Sequence, residues 1–284
     1  MDGMMHLAYH TFAFGGRSWL PSWTLDEAMR LTADLGFEGL ELAACRPHAW
    51  PSDLDAVRRR AMRKLAADWD LAFSAICPNP VNHNVASPAA REREGTVRYL
   101  VECLDLAVDL ESPIVRVDGG WSVHPHSRDD AWQWAAQGLA TAAHQAERRG
   151  ILLALENINS RRADVVVSSR DVAAMVDEVG SPALRPMIDL YHMYLEGDDP
   201  VEAIERLGSH LAYVHFLDAR RSDRARVAPG WGEMPLADIL SALQRVGYDG
   251  WLGVEIWGDD PLALGRQAVR FFAEQQPGQR GGGG

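Results

Sequence analysis

Eight short β-prone runs, each followed by a stretch of helix length, recur along the whole of this 284-residue chain, and no other feature limits its fold as much. The runs are residues 6–11, 39–43, 71–77, 114–118, 152–158, 186–190, 211–217 and 251–256. Between and after them lie amphipathic or alanine-rich stretches at 25–35, 54–69, 89–110, 129–149, 169–179, 200–207, 235–246 and 261–272. Strands alternating with helices predict a parallel sheet, because parallel neighbours need a long crossover. Several runs are apolar at successive positions, as strands covered on both faces should be. The helix punctuation agrees. Thr24 is placed to N-cap Leu25-Asp26-Glu27, and Ser168 or Ser169 can do the same before Asp171. Gly36, Gly150, Gly180 and Gly247 stand where helices should end in a left-handed cap. An open doubly wound sheet is the competing architecture. It usually opens on a glycine-rich phosphate turn, and the first loop, residues 11–20, offers only Gly15-Gly16. The expectation is an α/β protein, a single closed (β/α)8 or TIM barrel over residues 1–274, with residues 275–284 as a flexible tail.

Composition narrows the class. No run of 18 apolar residues exists, so no membrane-spanning helix is expected. Residues 1–10 lack the basic and then apolar pattern of a secretory signal. Cys45, Cys77 and Cys103 fit neither a metal clip nor a disulfide framework, which suits reduced thiols in a cytoplasmic protein. A net charge of −12 opposes binding to nucleic acid.

The informative residues sit where apolar strands end. Leu152-Leu153-Ala154-Leu155 runs into Glu156, and Pro186-Met187-Ile188 into Asp189. Leu211-Ala212-Tyr213-Val214 runs into His215, and Trp251-Leu252-Gly253-Val254 into Glu255. In a barrel the carboxyl ends of the strands open onto one face, so strands five to eight should bring these four side chains together. Burying a carboxylate is costly unless it is ion-paired or holds a metal, and no Lys or Arg lies within those four strand cores. Three carboxylates and an imidazole form a hard donor set. It favours a divalent ion with open positions, Mn²⁺ first and then Mg²⁺ or Co²⁺, over a closed zinc site.

With these residues in place, the sequence resembles the xylose isomerase-like barrel superfamily. The branch is that of sugar isomerases and epimerases related to tagatose and psicose 3-epimerases, hydroxypyruvate isomerase and the inosose enzymes. The carrying motifs are Leu155-Glu156-Asn157-Ile158-Asn159, Ile188-Asp189-Leu190-Tyr191-His192-Met193 and Val214-His215-Phe216-Leu217-Asp218 with Arg220-Arg221. Pro229-Gly230-Trp231-Gly232 and Gly247-Tyr248-Asp249-Gly250-Trp251 complete them. The resemblance implies that Glu156, Asp189, His215 and Glu255 hold the metal, with Glu156 and Glu255 also the acid–base pair. It implies that His192 touches a substrate oxygen, and that Arg221, or Arg220 if loop lengths shift, bonds substrate hydroxyls. The implied reaction removes a proton next to a carbonyl and passes through an enediolate, with no organic cofactor. A dehydratase or lyase acting on a keto-sugar or keto-inositol is the alternative, since the same intermediate can expel a β-hydroxyl. A homodimer or homotetramer is a further expectation from the resemblance.

One departure stands out. The epimerase branch usually carries a second glutamate six residues after the strand-five ligand, and here that position is Arg162. A cation there points to a carboxylate, phosphate or oxidised end on the substrate, or to a solvated loop arginine. The first half of the chain adds His10 after strand one, Glu41 in strand two, Pro78-Asn79-Pro80 after strand three and Trp121 after strand four. Tryptophans at 19, 23, 50, 121, 231 and 257 suit a carbohydrate-like ligand, because aromatic rings pack on the apolar faces of sugars. They equally suit loop packing or a subunit interface. His10, His48 and His83 raise one rival, an endonuclease IV-like zinc enzyme, which the acidic charge opposes. A non-catalytic sugar-binding barrel is the other, opposed by the presence of all four ligands.

Overall fold

The computed structural model describes residues 4–15, 23–46, 48–79 and 83–275. Trp19, Pro80 and the tail beyond Gln275 lie outside them. Among the described residues ten strands form: β1 (His6–His10), β2 (Gly39–Ala43), β3 (Ala72–Cys77), β4 (Ile114–Asp118), β5 (Leu152–Glu156), β6 (Leu184–Asp189), β7 (Tyr213–His215), β8 (Asp218–Arg220), β9 (Ala225–Val227) and β10 (Trp251–Val254). Eight of them close a parallel barrel in the order β1-β10-β7-β6-β5-β4-β3-β2, while β8 and β9 form a separate antiparallel hairpin. The closed sheet, not the open doubly wound one, is therefore the architecture.

Nine helices lie around the strands among the described residues: α1 (Leu25–Asp34), α2 (Ala56–Asp68), α3 (Ala90–Leu110), α4 (Arg128–Glu147), α5 (Ser169–Val179), α6 (Leu190–Glu196), α7 (Pro200–Leu207), α8 (Leu236–Arg245) and α9 (Pro261–Gln275). Thr24 caps α1 and Ser168, rather than Ser169, caps α5, each in a reciprocal box with the acid three residues on. Such a cap contributes about 1 kcal/mol. None of these helices is long and apolar enough to cross a membrane. All three cysteines are free, Cys77 and Cys103 buried and Cys45 half-buried.

Side chains alternate along each strand, and that alternation sorts the core. Leu40, Leu42, Val115, Val117, Leu153 and Leu155 point outward and pack under α1 to α5 with Met29, Leu104, Leu139 and Met175. Leu7, Tyr9, Ile188, Val214, Leu252 and Val254 do the same on the other side with Ile204, Ile239 and Leu243. The intervening residues face the barrel axis. Ala75, Ile114, Ala154, Met187 and Tyr213 form a small apolar plug there. The inward positions one pleat further on are His10, Glu41, Cys77, Arg116, Glu156, Asp189 and His215, all buried. This polar layer lies toward the carboxyl ends of the strands, the face that carries function in barrels of this kind.

Two elements were not foreseen in the sequence. Asp189 ends β6 and at once N-caps α6, accepting from the His192 backbone N–H at 2.8 Å. Leu190 is thus helical instead of the end of a strand, and His192 is turned back over the barrel mouth. The segment after β7 returns on itself as β8 and β9, pairing Ala219 with Arg226. Asp218 holds the end of that return, accepting backbone N–H bonds from Ala219, Gly230, Gly232 and Met234 at 2.8–3.1 Å. A Cβ at Gly232 would lie 2.2 Å from Asp218 Oδ1, so only glycine fits that approach. The Pro229-Gly230-Trp231-Gly232 motif is a carboxylate-binding loop.

Candidate metal centre

Strand pairing sets the site. Asp118 lies opposite Glu156, Asp189 opposite His215 and His215 opposite Gly253, with Glu255 following Val254 at the end of β10. His215 Nδ1 is 2.9 Å from Glu156, 3.2 Å from Asp189 and 3.6 Å from Glu255. One ligand atom from each of the four lies within 4.8 Å of all the others.

The other ring nitrogen, Nε2, is 3.0 and 3.2 Å from the two Glu41 oxygens. Tyr213 Oη donates to the same carboxylate at 3.2 Å and approaches Ser74 Oγ at 3.0 Å. Donation from Nε2–H to Glu41 leaves Nδ1 with a lone pair toward the three acids, the tautomer a metal-binding imidazole needs.

A neutral ring offers nothing to three carboxylates crowded around one nitrogen, so a cation must stand among them. Burial opposes charge on His215, but Glu41, Glu255 and Glu156 outweigh it and hold the imidazolium well above its ordinary range. A proton can satisfy one acceptor well, whereas a six-coordinate dication bonded at about 2.1 Å has ligand–ligand edges of roughly 3 Å. The spacings of 2.9, 3.2 and 3.6 Å match such edges. The donor set fits a divalent ion.

Two arginines also reach these acids. Arg116, from β4, bonds Glu156 and, at 2.8 Å, Asp118. Arg226, from β9, bonds Glu255 and lies 3.2 Å from Asp189. The expectation that no cation neutralises the quartet is therefore corrected: Arg185, the one cation within strands β5, β6, β7 and β10, bonds the Ser209 and His210 carbonyls instead, but the neighbouring strand and the hairpin each supply one. Glu41, Asp118, Glu156, Asp189 and Glu255 are five carboxylates facing two guanidiniums and the His215 imidazolium. An unbalanced buried charge costs several kcal/mol after relaxation. Burial raises the Glu255 carboxyl, but Arg226 and His215 win and push it down to about 2. Asp189, against the same arginine and His192, is held well below the usual carboxylate range despite its burial.

The other foreseen residues are placed as follows. His192 is buried, its Nδ1 2.6 Å from the Asn159 amide and its Nε2 3.1 Å from Arg226. Arginine only donates, so Nε2 accepts from it. Burial lowers its pKa, which keeps the ring neutral. His10 is fully buried, its Nδ1 accepting from Phe12 N–H at 3.0 Å and its Nε2 3.8 Å from Glu41 without a hydrogen-bond partner among the described residues. Trp121 is held through its backbone by the Asn84 side chain. Arg162 opens onto a cleft outside the centre.

Arg221 and Arg220 are not brought to the centre. Arg221 is exposed with its guanidinium 4.9 Å over the Tyr194 ring, and Arg220 pairs with Asp223 at 2.8 Å. The cation over the site is Arg226, stacked 4.5 Å from Tyr191 and 4.9 Å from Trp257. The hairpin is the reason: it carries residues 220 and 221 outward and returns Arg226 to the mouth. His83 stacks on Tyr99 at 4.2 Å, and neither it nor His48 belongs to a metal-binding group among the described residues. The zinc cluster of the nuclease rival is thus not assembled from them.

Glu41, Arg116 and Arg226 were not assigned roles from the sequence. Strand alternation alone carried a signal for the first two, since Arg116 is two residues before Asp118 and Glu41 lies amid apolar neighbours. Changing Glu41→Gln should weaken divalent-metal affinity about 10–100-fold, as loss of such a partner to a ligating histidine typically does. Calorimetric titration with Mn²⁺ checks it. An unchanged affinity would mean that Glu41 only packs against His215.

Comparison with known proteins identifies the family and agrees with the barrel fold. Residues 29–275 match the family described as Xylose isomerase-like TIM barrel. Fructoselysine 3-epimerase of Escherichia coli O157:H7 is 24% identical over 258 residues, covering 89% of this chain and 94% of that one. A putative hydroxypyruvate isomerase of Streptomyces coelicolor is 35% identical over 155 residues, covering 52% of each. Among solved structures, D-psicose 3-epimerase with D-tagatose from Clostridium cellulolyticum H10 superimposes with a TM-score of 0.83 at 20% identity, covering 96% of this chain and 99% of that one.

Proposed function

This chain belongs to the Xylose isomerase-like TIM barrel family, and from that premise we propose that it is a divalent-metal-dependent isomerase or epimerase of a small sugar or keto-sugar. The observation that carries the reading is the convergence of Glu156, Asp189 and Glu255 on His215 Nδ1, with Glu41 behind the ring. The isomerase and epimerase names of its relatives support it. Mn²⁺ is the proposed ion, and when bound it would polarise the substrate carbonyl and the adjacent hydroxyl.

The protein's own groups supply the proton transfers. Glu156 comes from β5 and Glu255 from the end of β10, with β6 and β7 between them in the barrel order. A ketose lying over Asp189 and His215 thus meets one carboxylate from each side. Glu255, kept ionised by Arg226, takes the proton from the carbon next to the carbonyl and leaves an enediolate. Glu156, on the other side, passes a proton drawn from solvent to the carbon, and exchange with water resets the pair. Arg226, in the role expected of Arg221, and His192 hold substrate oxygens at the mouth. His10, whose Nε2–H has no hydrogen-bond partner among the described residues, and the rim residues Trp121 and Arg162 complete the proposed contacts.

The test is NMR of 2-ketohexoses, inososes and 3-keto-sugars incubated in D2O with the Mn²⁺-loaded protein. Deuterium is expected at a carbon adjacent to the carbonyl, in an epimerised or isomerised product. Loss of water without exchange into a sugar product would place the protein among the dehydratases instead. No exchange with any of these compounds would sink the reading.

A further inference from the structure

Three arginines outside the metal centre face one cleft and pair with no acid among the described residues. The cleft has a volume of about 340 Å³ and is lined by Arg161, Arg162 and Arg224, with Arg226, Tyr191 and Trp257 along its inner side. That volume is in the range that takes a small metabolite. Many arginines of this acidic chain lie against carboxylates, as Arg46 does with Asp53 and Arg149 with Asp105. Arg161, Arg162 and Arg224 form no ion pair among the described residues. The chain's net charge of −12 makes three unpaired guanidiniums in one place the harder to ascribe to chance.

They are also held from separate parts of the fold. Arg161 and Arg162 belong to the turn after β5, which closes through the Arg162 N–H on the Asn159 carbonyl at 2.9 Å. Arg224 is at the far end of the β8–β9 hairpin in a left-handed conformation with φ of 54°. Tyr191 Oη fixes it by donating to its carbonyl at 2.9 Å. Arg226, sandwiched between Tyr191 and Trp257, lines the cleft and also reaches Asp189 and Glu255, so one guanidinium adjoins both cleft and metal centre.

We infer that this cleft binds an oxyanion at the far end of the substrate, a carboxylate or a phosphate group, through Arg161, Arg162 and Arg224. A hydroxyl terminus would leave the mutual repulsion of the guanidiniums in place. An anion with two or three oxygens relieves it and suits their forked donors. The inference rests on the isomerase reading for which end of the substrate lies at the metal. A ketose whose carbonyl end reaches Asp189 and Glu255 extends its terminal carbon past Arg226 into the cleft.

The test separates binding from turnover. Calorimetry on the Mn²⁺-loaded full-length protein compares three unreactive probes: a hexitol, its 6-phosphate and the corresponding hexonate. At least one anion should bind about 30-fold or more tightly than the hexitol, and added salt should weaken it. Arg162→Ala and Arg224→Ala should each remove about tenfold of that preference, as expected for a charge-assisted contact. The triple variant with Arg161→Ala should bind all three probes alike. Since all three positions are exposed, an unchanged circular dichroism spectrum and melting temperature serve as the folding control. Equal binding of the three probes by the unaltered protein, or a preference that survives the triple variant, overturns the inference. Exchange in D2O on a neutral ketose together with equal probe binding removes the anion subsite and leaves the isomerase reading. Tight anion binding without exchange on any ketose does the reverse. Whether the phosphate or the hexonate binds more tightly identifies the group.

Discussion

Replacing Glu255 by glutamine should lower the rate of deuterium incorporation next to the carbonyl by about a thousandfold, and Glu156→Gln should do the same. General acid–base catalysis by a positioned side chain contributes on the order of 10² to 10⁴. Either change also removes one negative ligand atom from around His215, so metal content must be measured beside the rate. At saturating Mn²⁺ the loss attributable to proton transfer alone remains. The two variants should differ in their surroundings. Glutamine at 255 frees Arg226 from one partner but leaves it Asp189 at 3.2 Å. Glutamine at 156 leaves Arg116 with Asp118 at 2.8 Å. Neither variant strands a buried guanidinium, so both should fold. Full activity in both would show that neither residue moves the proton.

Removing the metal should have an effect of similar size on activity and a visible one on stability. A chelated sample is expected to fall to background exchange and to recover on addition of Mn²⁺. At a free concentration 100 times the dissociation constant, an ion that binds only the folded protein adds about 2.7 kcal/mol. For a chain of this size that corresponds to a rise in Tm of roughly 5–10 °C. The affinity should also depend on pH, with a sign that follows from His215. Its pKa in the metal-free fold is raised well above the ordinary value, so near neutrality Nδ1 carries a proton that the ion must displace. Affinity should therefore fall about tenfold for each unit that the pH drops from 7 toward 5. Asp189 and Glu255, held low by Arg226, stay ionised over that range and add nothing to the slope. Calorimetry in buffers of different ionisation enthalpy measures the released proton directly. If millimolar Mn²⁺, Mg²⁺ and Co²⁺ all left Tm unchanged, the quartet would not be a metal site.

Much of this centre was legible before any coordinates. Glu156, Asp189, His215 and Glu255 each interrupt an apolar strand at its end, and strand ends on one face of a barrel must meet. His192 was named only through the family resemblance; the structure adds that Asp189 caps α6 and so fixes the residue three positions on. What failed was counting forward through a loop. Arg221 lies six residues past His215, but the chain between them begins a hairpin, and the returning strand delivers Arg226 in its place. Asp218 and its four backbone N–H partners close that return, and such bonds join residues 1 to 16 positions apart without any periodic trace.

The sequence by itself determined the eight-fold alternation of strand and helix, the helix caps and the strand-end placement of Glu156, Asp189, His215 and Glu255. All of these depend on spacings of two or about 3.6 residues, which the chain displays locally. Only the tertiary structure decided which cations neutralise those ligands, that Glu41 stands behind His215, and that Arg161, Arg162 and Arg224 face one cleft. Those relations cross between strands and loops far apart in the chain. Charge acts through space, and no pattern along one segment records which guanidinium will lie beside which carboxylate.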